Sequence, residues 1–155
     1  MHVVVPASTS RNEPIPDPHT GSEFKVDVYA YFDGDNIGSR LELLLLDDNV
    51  GGAAQYSASV DAALTQTRRN LQNIPSLIVI LAGGDDIFVK WRHGMIALSD
   101  IERTRSTYEE ICGQSLSVGV GLTASRAILN LRRAKLQGKA QLVCEPGSFD
   151  DSQGE

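Results

Sequence analysis

Two adjacent carboxylates, Asp85 and Asp86, sit in the stretch LAGGDDIFVKW between two runs of strand-forming residues. A tight hairpin gains nothing from neighbouring like charges, which repel. A second acidic loop, DGDNIGS at 33–39, follows another strand-like run and brings Asp33 and Asp35. Oxygen clusters of this kind suit hard divalent cations, and Mg²⁺ typically pairs one or two carboxylates with substrate phosphates. Two such ions, Mg²⁺ or Mn²⁺, can activate a hydroxyl and stabilise a leaving pyrophosphate. Gly83 and Gly84 allow close approach of backbone to a phosphate. In the 33–39 loop a strand end runs into a helix start, where free backbone N–H groups favour phosphate oxygens. Gly34, Asp35, Asn36, Ile37 and Gly38 are therefore candidate nucleotide contacts, with the Gly34 carbonyl a further candidate metal ligand. Alone, GGDD is a good turn, and DGDN resembles a calcium loop that lacks the closing glutamate of an EF-hand. The chemistry depends on the two loops meeting.

The surrounding pattern predicts how they meet. KVDVYAYF (25–32) alternates and reads as a strand. A helix over 40–46 follows, interrupted by DDNVGG (47–52), and a second runs over 53–73 to Pro75. SLIVILA (76–82) reads as a strand buried on both faces. IFVKW (87–91) reads as its hairpin partner. A helix over 95–112, a strand over 115–122 and a helix over 124–137, capped by Thr123 and ended by Gly138, complete the order. This contains the βαββαβ ferredoxin-like arrangement, an α+β fold with an antiparallel-containing sheet and helices mainly on one face. In that fold the first and third strands are neighbours. Asp33, Asp85, Asp86 and Asp35 then converge from loops 52 residues apart, and such crowding favours a neutralising cation.

The chain of 155 residues suits one domain. Its net charge of -6 argues against a surface built for general nucleic-acid binding. Cys112 and Cys144 fit reduced thiols in a cytoplasmic protein. No apolar stretch reaches the roughly 20 residues of a membrane span, and MHVVVPAS lacks the basic start and apolar core of a secretion signal. The expected division is a flexible Pro-rich leader at 1–24, the folded domain at 25–143 and an acidic tail at 144–155. Between Glu110 and Glu145 all charged residues are basic: Arg126, Arg132, Arg133, Lys135 and Lys139. Lys135 lies at the edge of an apolar stripe with Ile128 and Leu131, where a long side chain can reach back over the sheet to a triphosphate. His2, His19 and His93 show no ligand spacing, and Phe88 and Trp91 read as core or interface.

YFDGDNIG, LAGGDDIFVKW and SLSVGVGLTASRAILNLRRAKLQGKAQ together resemble the palm domain shared by GGDEF nucleotide cyclases and CRISPR polymerases. The similarity covers about 25–143, and the GGDD form and small size are most similar to the minimal CRISPR polymerase family. The resemblance implies a nucleotidyltransferase making cyclic oligonucleotide second messengers for antiviral defence. By it, Asp33, Asp85 and Asp86 hold metal and Lys135 matches a phosphate-contacting lysine. It also implies adenine, hence ATP, as the base. Where diguanylate cyclases read guanine with an asparagine this chain has Leu41, which cannot hydrogen-bond a base edge. Asp47, Asp48 and Asn49 offer another loop where a base could be read. Joining two nucleotides without a DNA template calls for a homodimer with facing sites, and a downstream effector would read the product. The alternatives are a catalytically silent nucleotide-binding sensor and a subunit of a larger assembly.

Overall fold

The computed structural model describes residues 26–150. The leader expected at 1–24 and the last residues of the tail lie outside them. Five strands and four helices follow in the order β1 (Asp27–Gly34), α1 (Ile37–Leu46), α2 (Val50–Gln72), β2 (Leu77–Gly83), β3 (Asp86–Arg92), α3 (Leu98–Cys112), β4 (Leu116–Gly121), α4 (Ala124–Leu136) and β5 (Leu142–Cys144). One sheet carries the strands in the order β2-β3-β1-β4-β5. Strands β1 to β4 pair antiparallel and β5 runs parallel to β4. The first four strands give the expected α+β βαββαβ arrangement. The three-residue β5 is too short to show a period-2 pattern in sequence.

Strand alternation gives the sheet two unlike faces. On one, Val28, Ala30 and Phe32 of β1 and Val118 and Val120 of β4 join Ala63 and Leu71 of α2 and Ile101 and Tyr108 of α3 in the main core. On the other lies α4, seated on β4. A Cβ at Gly119 would stand 2.1 Å from the backbone nitrogen of Leu131, so only glycine allows the helix this close. Thr123 caps α4 as its type predicts, accepting a hydrogen bond from the Arg126 N–H.

Strand β2 corrects an expectation. It is not buried on both faces. It lies at the sheet edge with Ile78, Ile80 and Leu81 about half exposed. α4 covers β4 and β1 and leaves this end of the second face open, and a register shift between Val79 and Leu81 marks a bulge there. The segment where an acidic tail was expected begins inside β5 and then packs back on the domain. The Phe149 ring lies 5.9 Å from that of Trp91, and Glu145 accepts from the Leu122 N–H and pairs with Arg126. Cys112 and Cys144 are free thiols, and burial pushes Cys144 up to about 11. Among the described residues no helix is long and apolar enough to cross a membrane.

Candidate active site

β1 runs two residues further than its pattern suggests and ends on Asp33 and Gly34. Directly opposite Asp33 in the antiparallel ladder is Asp86, the first residue of β3. Residues paired in this way share a face, so the sheet itself brings together two carboxylates distant in sequence. Gly83 pairs with Asp86, leaving Gly84 and Asp85 as a two-residue turn in which Gly84 takes a φ of +63°. The Gly34 N–H donates to the Asp85 carbonyl at 3.2 Å and ties the two loops together. One carboxylate oxygen from each of Asp33, Asp85 and Asp86 lies within 4.8 Å of the others. That all-oxygen donor set fits a hard divalent cation.

Gly34 is needed for packing. A Cβ there would lie 2.7 Å from the Tyr108 hydroxyl and 2.9 Å from Ile37. At Gly38, Gly83 and Gly84 an added Cβ would meet nothing within 4 Å, so these three border open space. Asn36, at φ 59°, precedes α1 without capping it by its side chain, which leaves the first-turn N–H groups of Ile37 and Gly38 uncapped. Its side-chain oxygen accepts instead from Lys139.

Asp35 departs from expectation. It is fully buried and does not join the carboxylate cluster. Both of its oxygens are occupied. Ser115 donates at 2.7 Å, Ser117 at 2.9 Å, the Ala140 N–H at 2.8 Å and Lys135 at 2.6 Å. Burial pushes its carboxyl up, but Lys135 and the other donors outweigh that and hold it below the usual range. Burial likewise pushes Asp33 up, and here the Lys135 ammonium only partly offsets burial and the neighbouring Asp86.

Lys135 reaches back over the sheet as its position on α4 predicts. Its ammonium donates to the carbonyls of Asp33 (3.1 Å) and Gly34 (2.9 Å) and pairs with the Asp33 carboxylate at 2.8 Å. With Asp33, Leu131, Arg132 and Leu136 it lines a cavity of about 450 Å³. A second cavity, about 360 Å³, lies between α2 and the hairpin, lined by Asp61, Thr65, Arg68, Gly83, Gly84 and Asp86 among others. The two cavities flank the carboxylates.

The sequence pattern did not single out Asp61, Thr65 and Arg68. They share one helix face at spacings of four, three and seven, but only the packing of α2 beside the hairpin turns it into a wall. The 47–49 loop does not line this cavity, and Asn49 caps α2 by accepting from the Gly52 N–H. Tyr31 was also read only as a strand residue. Two positions before Asp33 on the same face, its hydroxyl donates to Asp86 at 3.2 Å and its ring lies 5.3 Å from Phe88. Burial, then Asp86, raises the phenol above its ordinary value.

A family profile described as mCpol, the minimal CRISPR polymerase domain, matches residues 29–144. No curated protein matches the chain in sequence. Among solved structures, the chain is similar to the Csm1–Csm4 cassette in complex with cA4, at 18% identity and a TM-score of 0.52 over 77% of this chain and 21% of that one. It therefore spans about a fifth of that relative's length. It is also similar to a microbial GGDEF domain described with bis-(3,5)-cyclic di-GMP, at 19% identity and a TM-score of 0.53 over 80% of each chain. The diguanylate cyclase SiaD from Pseudomonas aeruginosa, solved with its activator SiaC, matches at 17% identity and a TM-score of 0.51 over 78% of this chain and 50% of that one. At these identities the structures establish the palm-type fold.

Proposed function

The chain belongs to the minimal CRISPR polymerase domain family, and on that premise we propose that it condenses nucleoside triphosphates, ATP first among them, into a cyclic di- or oligonucleotide. The observation that carries this reading is the cluster of Asp33, Asp85 and Asp86 between two cavities. Mg²⁺ or Mn²⁺, two per site, would lower the pKa of a ribose hydroxyl and neutralise charge on the departing pyrophosphate.

The chain's own groups do the holding. Asp33, Asp85, Asp86 and the Gly34 carbonyl would be the oxygen ligands of the metal. The Ile37 and Gly38 N–H groups and the open backbone at Gly83 and Gly84 take phosphate oxygens. Lys135 and Arg132 supply positive charge along the 450 Å³ cavity, suited to a triphosphate. The 360 Å³ cavity beside Asp61, Thr65 and Arg68 offers a carboxylate, a hydroxyl and a guanidinium to a nucleoside. In the reaction, a ribose hydroxyl oxygen of one nucleotide bonds to the α-phosphorus of another. The bond from that phosphorus to the bridging β-phosphate oxygen breaks, the hydroxyl proton passes to solvent and pyrophosphate leaves. A second such step closes the ring.

One carboxylate cluster serves one attacking pair, and the second nucleotide must be held within about 3–3.5 Å of attack. A homodimer with facing sites supplies it, and twofold symmetry is the commonest arrangement. The product would act as a second messenger in antiviral defence, read by a separate effector in the cytoplasm. Incubating the protein with each NTP and Mg²⁺ or Mn²⁺, and identifying products by mass spectrometry, tests the activity and the base. A cyclic adenine nucleotide plus pyrophosphate is expected. Absence of any condensation product from all four NTPs with either metal would overturn the reading.

A further inference from the structure

An ammonium group has three protons to donate. Lys135 has four oxygens within 3.1 Å: the carbonyls of Asp33 and Gly34 and the carboxylates of Asp33 and Asp35. That is the surrounding of a cation in an oxygen cage rather than of a side chain waiting for a phosphate. Two of the four, the Asp33 carboxylate and the Gly34 carbonyl, are among the oxygens assigned above to a divalent cation. An oxygen lone pair directed at an ammonium is not free for a metal.

We propose that Lys135 is the resident counter-cation of the nucleotide-free site, seated on Asp33 and Gly34 until a divalent cation displaces it into the neighbouring cavity. The proposal rests on the divalent-cation reading of Asp33, Asp85 and Asp86. Its geometry is local. Asp35 is fixed by Ser115, Ser117 and Ala140, so it keeps hold of Lys135 after Asp33 and Gly34 are surrendered. Lys135 already lines the 450 Å³ cavity with Arg132, so the released ammonium has only to turn into it, where a triphosphate would meet it. Metal entry and phosphate capture become one ordered event, and Lys135 is a positioning residue before it is a phosphate contact.

A role confined to phosphate contact makes a different prediction for the metal alone. Mn²⁺ is titrated into the full chain without nucleotide and followed by electron paramagnetic resonance. Lys135→Met is expected to bind Mn²⁺ about tenfold more tightly than wild type, because a competing charge in near contact is gone. Equal or weaker binding overturns the proposal. The double variant Asp85→Ala/Asp86→Ala separates the two claims. If it binds Mn²⁺ like wild type, the metal reading itself falls. If it loses Mn²⁺ while Lys135→Met matches wild type, only the role of Lys135 falls. Since Lys135→Met strips Asp35 of its buried partner, a second measurement uses wild type. The Lys135 ammonium should give a sheltered, slowly exchanging ¹⁵N-resolved proton signal that shifts and broadens with saturating Mg²⁺. A signal unchanged by Mg²⁺ overturns displacement.

Discussion

Asp35 and the hairpin carboxylates Asp85 and Asp86 come from equally acidic loops and meet opposite ends. Asp35 is sealed in, with donors from Ser115, Ser117, Lys135 and the Ala140 backbone on its two oxygens. Asp85 and Asp86 stand at a turn, where Tyr31 donates a side-chain hydrogen bond to Asp86. The first carboxylate is spent on the fold. The others stand at the surface in the cluster with Asp33, an oxygen set that suits a hard cation. The loop after β1 is thus tied down at Asp35 by donors from the protein, and the hairpin carries its carboxylates at an exposed turn. Asp33 stands between them, paired with Lys135 on one side and facing Asp86 on the other.

The contrast is broken most severely at the hairpin. Asp85→Ala and Asp86→Ala, each alone, should lower product formation by about a thousandfold or more, the equivalent of several kcal/mol of lost charge stabilisation. The urea midpoint should stay level or rise, because a crowded negative charge is removed. Activity near wild type in either variant would contradict the division.

Asp35→Ala should do the reverse and act first on stability. Breaking a buried pair costs roughly 3–5 kcal/mol, and the low end applies because Lys135 keeps Asp33 as a partner. The pH dependence follows from the sign of the shift. The Asp35 carboxyl is held low in the fold, so its contribution is full above the unfolded carboxylate range and is lost as pH falls through its folded value. Wild type should therefore lose stability below about pH 4. The shift at Asp33 is upward and has the opposite sign, opposing folding once pH rises through its folded value. Urea melts at several pH values should show a flatter acid limb for Asp35→Asn.

The smallest change sharpens the hairpin half. Tyr31→Phe removes one hydrogen bond to Asp86 while leaving the ring beside Phe88. A loss of about 0.5–1.5 kcal/mol, or up to roughly tenfold in Mn²⁺ affinity, is expected, with little change in the melt. An unchanged titration would mean that Asp86 needs no orientation from the phenol.

The antiparallel hairpin at GGDD, the capped last helix and the meeting of Asp33 with Asp86 were all legible. Each depends on local pattern or on a topology that short loops nearly dictate. Less legible were the strand ends. β1 extends to Asp33 and Gly34 because pairing with β3 and β4, not its own alternation, decides where it stops. An apolar run such as SLIVILA looks the same whether it is central or at an edge, so the exposure of β2 was invisible. The cavity beside α2 was hidden because Asp61, Thr65 and Arg68 differ in no way from a solvated face until a hairpin is set against them.

The sequence by itself determined which residue types were present at the strand ends: carboxylates and glycines, with a lysine at the edge of an apolar stripe. Those types suit oxygen ligation of a hard cation and contact with phosphates. It could not determine which carboxylate would be consumed by the fold. Asp33 and Asp35 are two residues apart in one loop and chemically identical. Asp33 is the last side chain of β1 on the face it shares with Asp86, while Asp35, beyond the strand end, falls among Ser115, Ser117 and the Ala140 N–H. Burial among donors fixed by other parts of the fold, a property of the tertiary structure alone, left one of them in the carboxylate cluster and made the other an anchor.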